Sequence, residues 1–373
     1  MKKRKILIVL ALIIFIILGV GINFSMEYLK PIKVEPVLSK EVYTNEEEIL
    51  LKFLQNNLMD SEGGVYTNLK DKENEGDITK GHSILSESQG ILLMYYLYSG
   101  DEENFERIFN YIKNKMILDN NLISWRIENG EPSKVSATID DLRIAKALIL
   151  ASKEFNNFKY RYYGVNISQG IYENLVHNEN LIDFKDEFGK SKESTLCYLD
   201  LPAIKLLSQI DNKWRKIYDN SLKIINDGLI SEDLPLYRKK YNTNDKLYDN
   251  EEVDSLLSML VILNKSEAGE DVSKSIEWIK NQLKEKGYIS SLYNIETGEE
   301  SKIESTSIYS NIVEIAKVIG DRELYELAFN KMKIFQVNNK DSKIYGAFGD
   351  EKSEMVYSYD NLNSLLSFRR NWK

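Results

Sequence analysis

Two stretches decide how this chain folds: residues 93–116, LMYYLYSGDEENFERIFNYIKNKM, and residues 312–335, IVEIAKVIGDRELYELAFNKMKIF. Both read helix–Gly–Asp–x–Glu–x–aromatic–Glu–helix. The glycine supplies the left-handed residue that stops one helix, and the aspartate caps the next. Apolar residues spaced at i, i+3/i+4 and i+7 extend the same reading along the chain. They predict helices over 46–58, 84–99, 102–116, 139–156, 160–176, 194–209, 212–227, 252–264, 271–286, 303–319, 321–336 and 357–370, with few convincing strands between. One helical hairpin cannot bury its apolar face alone, so hairpins at this period must stack on one another. The expectation is an all-α chain, an (α/α)6 toroid of six helical hairpins over residues 46–373.

The N-terminus sets the compartment. Residues 2–5 (KKRK) precede an unbroken apolar run from Ile6 to Ile22. Such a run reaches about 25 Å as a helix, just enough to span a bilayer. With no small-residue cleavage site after it, residues 1–24 read as a retained transmembrane signal anchor rather than a cleaved leader. The basic flank then stays inside, and the rest of the chain lies outside the cell. Residues 25–45, with two prolines and no amphipathic period, read as a tether.

Charge narrows the partners. The cations of residues 2–5 leave 45 basic against 58 acidic residues in the remaining chain, a net of −13. An acidic body lacks the footprint of a nucleic-acid binder, and a neutral polysaccharide suits it better. One cysteine, Cys197, and two histidines, His82 and His177, exclude a disulfide framework and leave too few ligands for a Cys/His zinc site. No metal or cofactor is expected.

The chemistry is left to carboxylates. Glu87, Asp140-Asp141 and Asp254 each stand where an apolar helix begins. Any one of them reads as a helix cap; three at the mouths of apolar helices suit a shared cleft at one end of a barrel. Flat side chains on the intervening segments, with Trp125 beside Arg126 the best placed, can face the apolar surfaces of sugar rings.

The blocks Ser86-Glu87-Ser88-Gln89-Gly90 through Met94, Ile123-Ser124-Trp125-Arg126 and Ala137-Thr138 through Leu148 resemble glycoside hydrolase family 8 in order and spacing. The closing segment Tyr345-Gly346-Ala347-Phe348-Gly349-Asp350, with Tyr357-Ser358-Tyr359-Asp360, resembles that family's exopolysaccharide-operon branch of Gram-positive bacteria. The resemblance implies a six-hairpin toroid and inverting hydrolysis of β-1,4-linked glycans, with Glu87 as general acid. The family's A-[ST]-D-[AG]-D block has Ile139 at its first Asp, so either Asp140 takes the catalytic place by a one-residue shift, the reading preferred, or the subsite has changed; Asp141 matches the second Asp by register. No clean copy of the family's base block is present. Asp254 is chosen as base, with Asp249 and Glu252 as alternatives. Trp125, Arg126, Asp141, Tyr345, Tyr359 and Asp360 are expected to bind the sugar.

The expectation is therefore a membrane-tethered, extracellular, endo-acting hydrolase that trims the cell's own biofilm polysaccharide, in contact with its synthase complex. The alternative is a non-catalytic glycan-binding or synthase-partner protein on a degraded hydrolase scaffold, for which Ile139 and the absent base block argue.

Overall fold

The computed structural model describes residues 26–71 and 81–373. Among the described residues from 45 onward, twelve α-helices follow one another. They are α1 (Asn45–Asn57), α2 (Ser86–Ser99), α3 (Glu102–Tyr111), α4 (Thr138–Glu154), α5 (Phe158–Leu175) and α6 (Leu201–Ile210), then α7 (Trp214–Asp227), α8 (Ser255–Ala268), α9 (Ser273–Glu285), α10 (Thr306–Ile319), α11 (Arg322–Lys333) and α12 (Ser358–Arg369). The even-numbered helices touch in sequence, α2 to α4, α6, α8, α10 and α12, and α12 returns to α2. That closes a ring of six inner helices, and the odd-numbered helices form an outer layer. The (α/α)6 toroid expected from the hairpins is the fold.

Sequence explains which layer each helix occupies. In α2 every residue from Ser88 to Tyr98 is buried, as is Thr306 to Val318 in α10, so these helices are enclosed on all sides. In α3 only the stripe of Phe105, Ile108, Phe109 and Tyr111 is buried, the pattern of a helix with one wet face. The Gly-Asp signals work as read. Gly100 and Gly320 end α2 and α10 at φ 73° and 74°, where a side chain would be strained. Asp101 and Asp321 then accept the N–H groups of Asn104 and Leu324 to start α3 and α11.

The segments between hairpins depart from the sequence reading. Short antiparallel strands of two or three residues lead into the inner helices. β1 (Ile84–Leu85) pairs with β2 (Arg126–Glu128), which pairs with β3 (Glu131–Pro132). After the β4–β5 hairpin (Val176–His177, Asn180–Leu181), β6 (Glu193–Thr195) pairs with β7 (Lys240–Asn242) and β7 with β8 (Leu247–Tyr248); β9 (Val253–Asp254) pairs with β10 (Leu292–Tyr293). The helix expected over 194–209 is α6 alone, preceded by β6 and one 3-10 turn, Leu196–Tyr198. Asp200 caps α6 through the N–H of Ala203, and Pro202 sits in the first turn, where its missing N–H costs nothing.

At the other end of the barrel the C-termini of the inner helices meet the segment expected to be a tether. Residues 26–43 lie along this base rather than apart from it. Arg161 donates to the carbonyl of Glu27 (2.9 Å), the N–H of Lys33 to Gln209 (2.7 Å), Lys153 to the carbonyl of Val34 (3.0 Å), and the N–H of Ser39 to the carbonyl of Tyr98 (2.6 Å). The expected anchor over residues 1–24 lies outside the described residues. Among those described, no helix is long and apolar enough to cross a membrane.

Ring closure has its own lock. Glu47 of α1 and Arg369 of α12 form a two-pronged ion pair at 0% and 2% side-chain exposure. Tyr95 of α2 donates to the same carboxylate at 3.0 Å. A buried pair is weak evidence of net stability, but breaking one partner strands a charge. Arg369→Met should therefore cost about 3–5 kcal/mol in urea unfolding, and adding Glu47→Gln should restore part of the loss.

Candidate active site

The inner helices form a ring and begin at the same end, so their first turns surround one mouth. Four carboxylates stand there. Glu87 is the second residue of α2, Asp140 the third of α4, Asp360 the third of α12, and Asp254 caps α8 through the N–H of Leu257 (3.1 Å). In a ring of six, α8 stands opposite α2, which sets Asp254 across the mouth from Glu87.

Glu87 is half-buried. Burial is the main reason its carboxyl is pushed up to about 8, and the neighbouring Asp140 adds to the shift. Arg143 opposes it, and Asp360 adds a smaller push. At neutral pH Glu87 is a protonated carboxylic acid, able to donate. Asp140 is 4% exposed. One of its oxygens accepts from Ser86 (2.6 Å) and the other from Arg143 (2.9 Å). Burial raises its carboxyl too, while Arg143 and Ser86 favour the charged form. The two carboxyls disfavour each other's charge, and the direct bonds from Arg143 and Ser86 favour the charge on Asp140.

The ring of Tyr359 belongs to the same group. Burial and the nearby Glu87 hold its hydroxyl well above the usual range. Asp360 joins α12 to α10 by accepting from the N–H (3.1 Å) and hydroxyl (2.5 Å) of Ser307. Trp125 enters through its backbone: its carbonyl accepts the N–H of Ser86 at 3.0 Å, so strand β2 fixes the start of α2. Its indole donates to Ser133 (3.1 Å), and the Arg126 guanidinium lies 4.8 Å over the ring. Arg126 is paired with Glu128 at 3.1 Å.

Other expected site residues sit elsewhere. Asp141 is completely buried, with its carboxylate on the backbone N–H of Ile123 (2.6 Å). It ties the 122–124 segment to α4 and is closed off from a sugar. Tyr345 belongs to a turn held against the outer layer, where the adjoining Gly346 lies on Ile49 of α1. Of the alternative bases, Asp249 accepts the N–H of Lys240 (2.6 Å) to stitch the β7–β8 hairpin, and Glu252 is exposed. Only Asp254 among the three heads an inner helix.

The sequence reading passed over Asp183. It is 7% exposed and holds the N–H (2.5 Å) and hydroxyl (2.8 Å) of Thr195, and burial pushes its carboxyl up to about 6. It fixes the segment carrying Cys197 and Tyr198, whose own titration feels Asp140 and Glu87. Its setting, Asn180-Leu181-Ile182-Asp183-Phe184, has no helical period to mark it. Beneath the mouth, Ile139 and Arg143 line a small pocket of about 60 Å³ together with Lys146, Glu267 and Arg370. Lys146 bridges Asp200 (2.8 Å) and Glu267 (3.8 Å) there. Among the described residues, no group of three His, Cys, Asp or Glu could hold a metal ion.

Known proteins match this chain along most of its length. The sequence model for "Glycosyl hydrolases family 8" matches residues 55–234. A solved structure described as a novel alpha-amylase from Clostridium perfringens is 50% identical, with a TM-score of 0.84, covering 87% of this chain and 97% of that one. A putative lipoprotein, YdaJ, of Bacillus subtilis is 25% identical over 85% of each chain. Endoglucanase C of Ruminiclostridium cellulolyticum is 28% identical over 136 residues, 34% of this chain and 29% of its own.

The site makes one prediction free of any substrate. Asp140→Asn removes the like charge beside Glu87 and should let that carboxyl titrate at lower pH, read by ¹³C NMR. Asp141→Asn should instead lower the unfolding midpoint and leave the titration of Glu87 where it is.

Proposed function

The chain belongs to family 8 of the glycosyl hydrolases, and on that premise we propose that it cleaves an extracellular polysaccharide with inversion, Glu87 acting as general acid and Asp254 as base. The observation that carries this reading is the pair itself. One carboxyl is held protonated at neutral pH beside Asp140, and the other stands at the head of the opposite helix.

The dimensions suit the chemistry. Packed helices lie about 8–10 Å apart, so opposite axes in a ring of six are separated by roughly 16–20 Å. Inverting hydrolases hold their two carboxyls about 6.5–9.5 Å apart, a separation that side chains reaching inward across such a ring can meet. The glycosidic oxygen takes the proton of Glu87 as its bond to the anomeric carbon breaks. A water on the other face of the ring attacks that carbon and passes its proton to Asp254. Tyr359 and Trp125 line the groove, and Asp360 stands within reach of sugar hydroxyls.

For substrate, the family resemblance supports a β-1,4-linked glycan, and the acidic body behind a basic-flanked apolar N-terminal run in the sequence supports the cell's own exopolysaccharide, met outside the membrane and close to its synthase. A second reading is favoured by one observation. The relative at 50% identity is described as an alpha-amylase, and Ile139 replaces the carboxylate that the family places at the cleavage point. An α-linked glucan is therefore the substrate to set beside the β-glycan. Inversion is open to either, because the water attacks from the face opposite whichever bond leaves.

The test is hydrolysis by the full chain of amylose, a soluble β-1,4-glucan and the polysaccharide of the producing cell. Product anomers are followed by ¹H NMR: a β-linked substrate should release α product, and an α-linked one β product. Retention of configuration would reject the mechanism. Glu87→Gln and Asp254→Asn should each lower kcat by about 10²–10⁴-fold. Activity should fall as pH rises through about 8, where Glu87 loses its proton.

A further inference from the structure

Glycine in the middle of a buried helix needs a reason, and Gly90 has one. It lies one turn into α2, below Ser86 and Glu87. A Cβ built there would stand 3.1 Å from Cδ and 3.5 Å from Cγ of Arg143, and 3.3 Å from Cγ1 of Ile144. The bare backbone at this point is the channel through which the stem of Arg143 leaves α4. Its guanidinium arrives 2.9 Å from Asp140, with 14% of the side chain exposed. Asp140 is held on its other oxygen by Ser86, the residue next to Glu87.

We propose that Arg143 is a positioning residue of the hydrolase, threaded over Gly90 to clamp Asp140 against Ser86 and to supply the positive charge beside Glu87 once that acid has given up its proton. The proposal rests on the reading of Glu87 as the acid. In that step the proton goes to the leaving oxygen and the C–O electron pair goes with the leaving group. Glu87 is then a carboxylate beside the carboxylate of Asp140, which is itself only 4% exposed. Two like charges so placed oppose the transfer unless a cation stands beside them.

Among the described residues, the groups whose charge acts on or responds to Glu87 come from three elements. Asp140 and Arg143 come from α4, Tyr359 and Asp360 from α12, and Tyr198 from the turn before α6. Arg143 is the one cation among them, and it acts against burial and both aspartates in setting the titration of Glu87. Arg143 in turn faces Asp140, Glu87, Tyr359 and Asp200. A lysine would carry the charge without the planar guanidinium that holds Asp140.

The experiment follows the Glu87 carboxyl by ¹³C NMR in the resting full-length protein, assigned through Glu87→Gln, alongside kcat against pH. In Arg143→Met the Glu87 titration and the alkaline limb of kcat should both move up by about one pH unit or more, the scale of a lost opposite charge at contact range, while kcat falls. Arg143→Lys should move them less. Gly90→Ala, with Arg143 still present but displaced, should move them in the same direction.

If Glu87 titrates as in the parent in both Gly90→Ala and Arg143→Met while their melting curves are unchanged, Arg143 is only part of the wall and the proposal fails. If Arg143→Met does not fold, Arg143→Lys and Gly90→Ala decide by the same readout. Because the carboxyl is titrated without substrate, full activity in Glu87→Gln would overturn the acid assignment separately from the effect of Arg143 on this carboxyl.

Discussion

Six inner helices that begin at the same end impose the constraint on which the rest depends. Each first turn carries unpaired N–H groups and the positive end of a helix dipole, and the ring gathers six of these ends around one opening. Left alone, that arrangement favours ionised carboxylates at every mouth position. Glu87 defies it because burial and Asp140 outweigh the dipole, and its carboxyl rises. Asp254 heads its helix in the ordinary way, taking the N–H of Leu257. One architecture thus yields a carboxyl raised by burial and a capping carboxylate on opposite walls, and the difference lies in what surrounds each.

The helices were legible because their punctuation is local. Gly100-Asp101 and Gly320-Asp321 end one helix and start the next with residues whose roles need no distant partner. The strands at the mouth escaped notice because two or three paired residues, such as Ile84 and Leu85 on Ile127 and Arg126, leave no period in the sequence. Residues 26–43 read as a tether for the same reason. Their hold on the base runs through backbone groups, among them the carbonyls of Glu27 and Val34 and the N–H of Ser39. Backbone bonding of that kind is invisible to hydrophobic pattern.

The site divides along a similar line. Glu87, Asp140 and Asp254 could be found because an acid before an apolar run marks a helix mouth, and Asp360 came through the resemblance of the closing segment. Asp140 and Asp141 could not be told apart in role, since adjacent helical residues point about 100° apart and only the packed structure fixes the phase. The structure turns Asp141 onto the N–H of Ile123 and Asp140 toward Ser86. Asp183 lay in a loop and acts by fixing Thr195, a contact made across twelve residues without helical spacing.

The same rotation explains what Ile139 does to the groove. Moving a carboxylate from 139 to 140 swings it by about 100° around the helix, so Asp140 cannot serve a sugar atom that a carboxylate at 139 would have reached. Its two oxygens are taken up by Ser86 and Arg143 instead. The charge has moved from the sugar's side of the site to the acid's side. What remains at 139 is a half-buried aliphatic surface lining the small pocket, suited to the apolar face of a ring rather than to its hydroxyls. On the proposed mechanism, one substitution and one shifted aspartate therefore separate two tasks that a single carboxylate would combine, holding the substrate and tuning the proton donor.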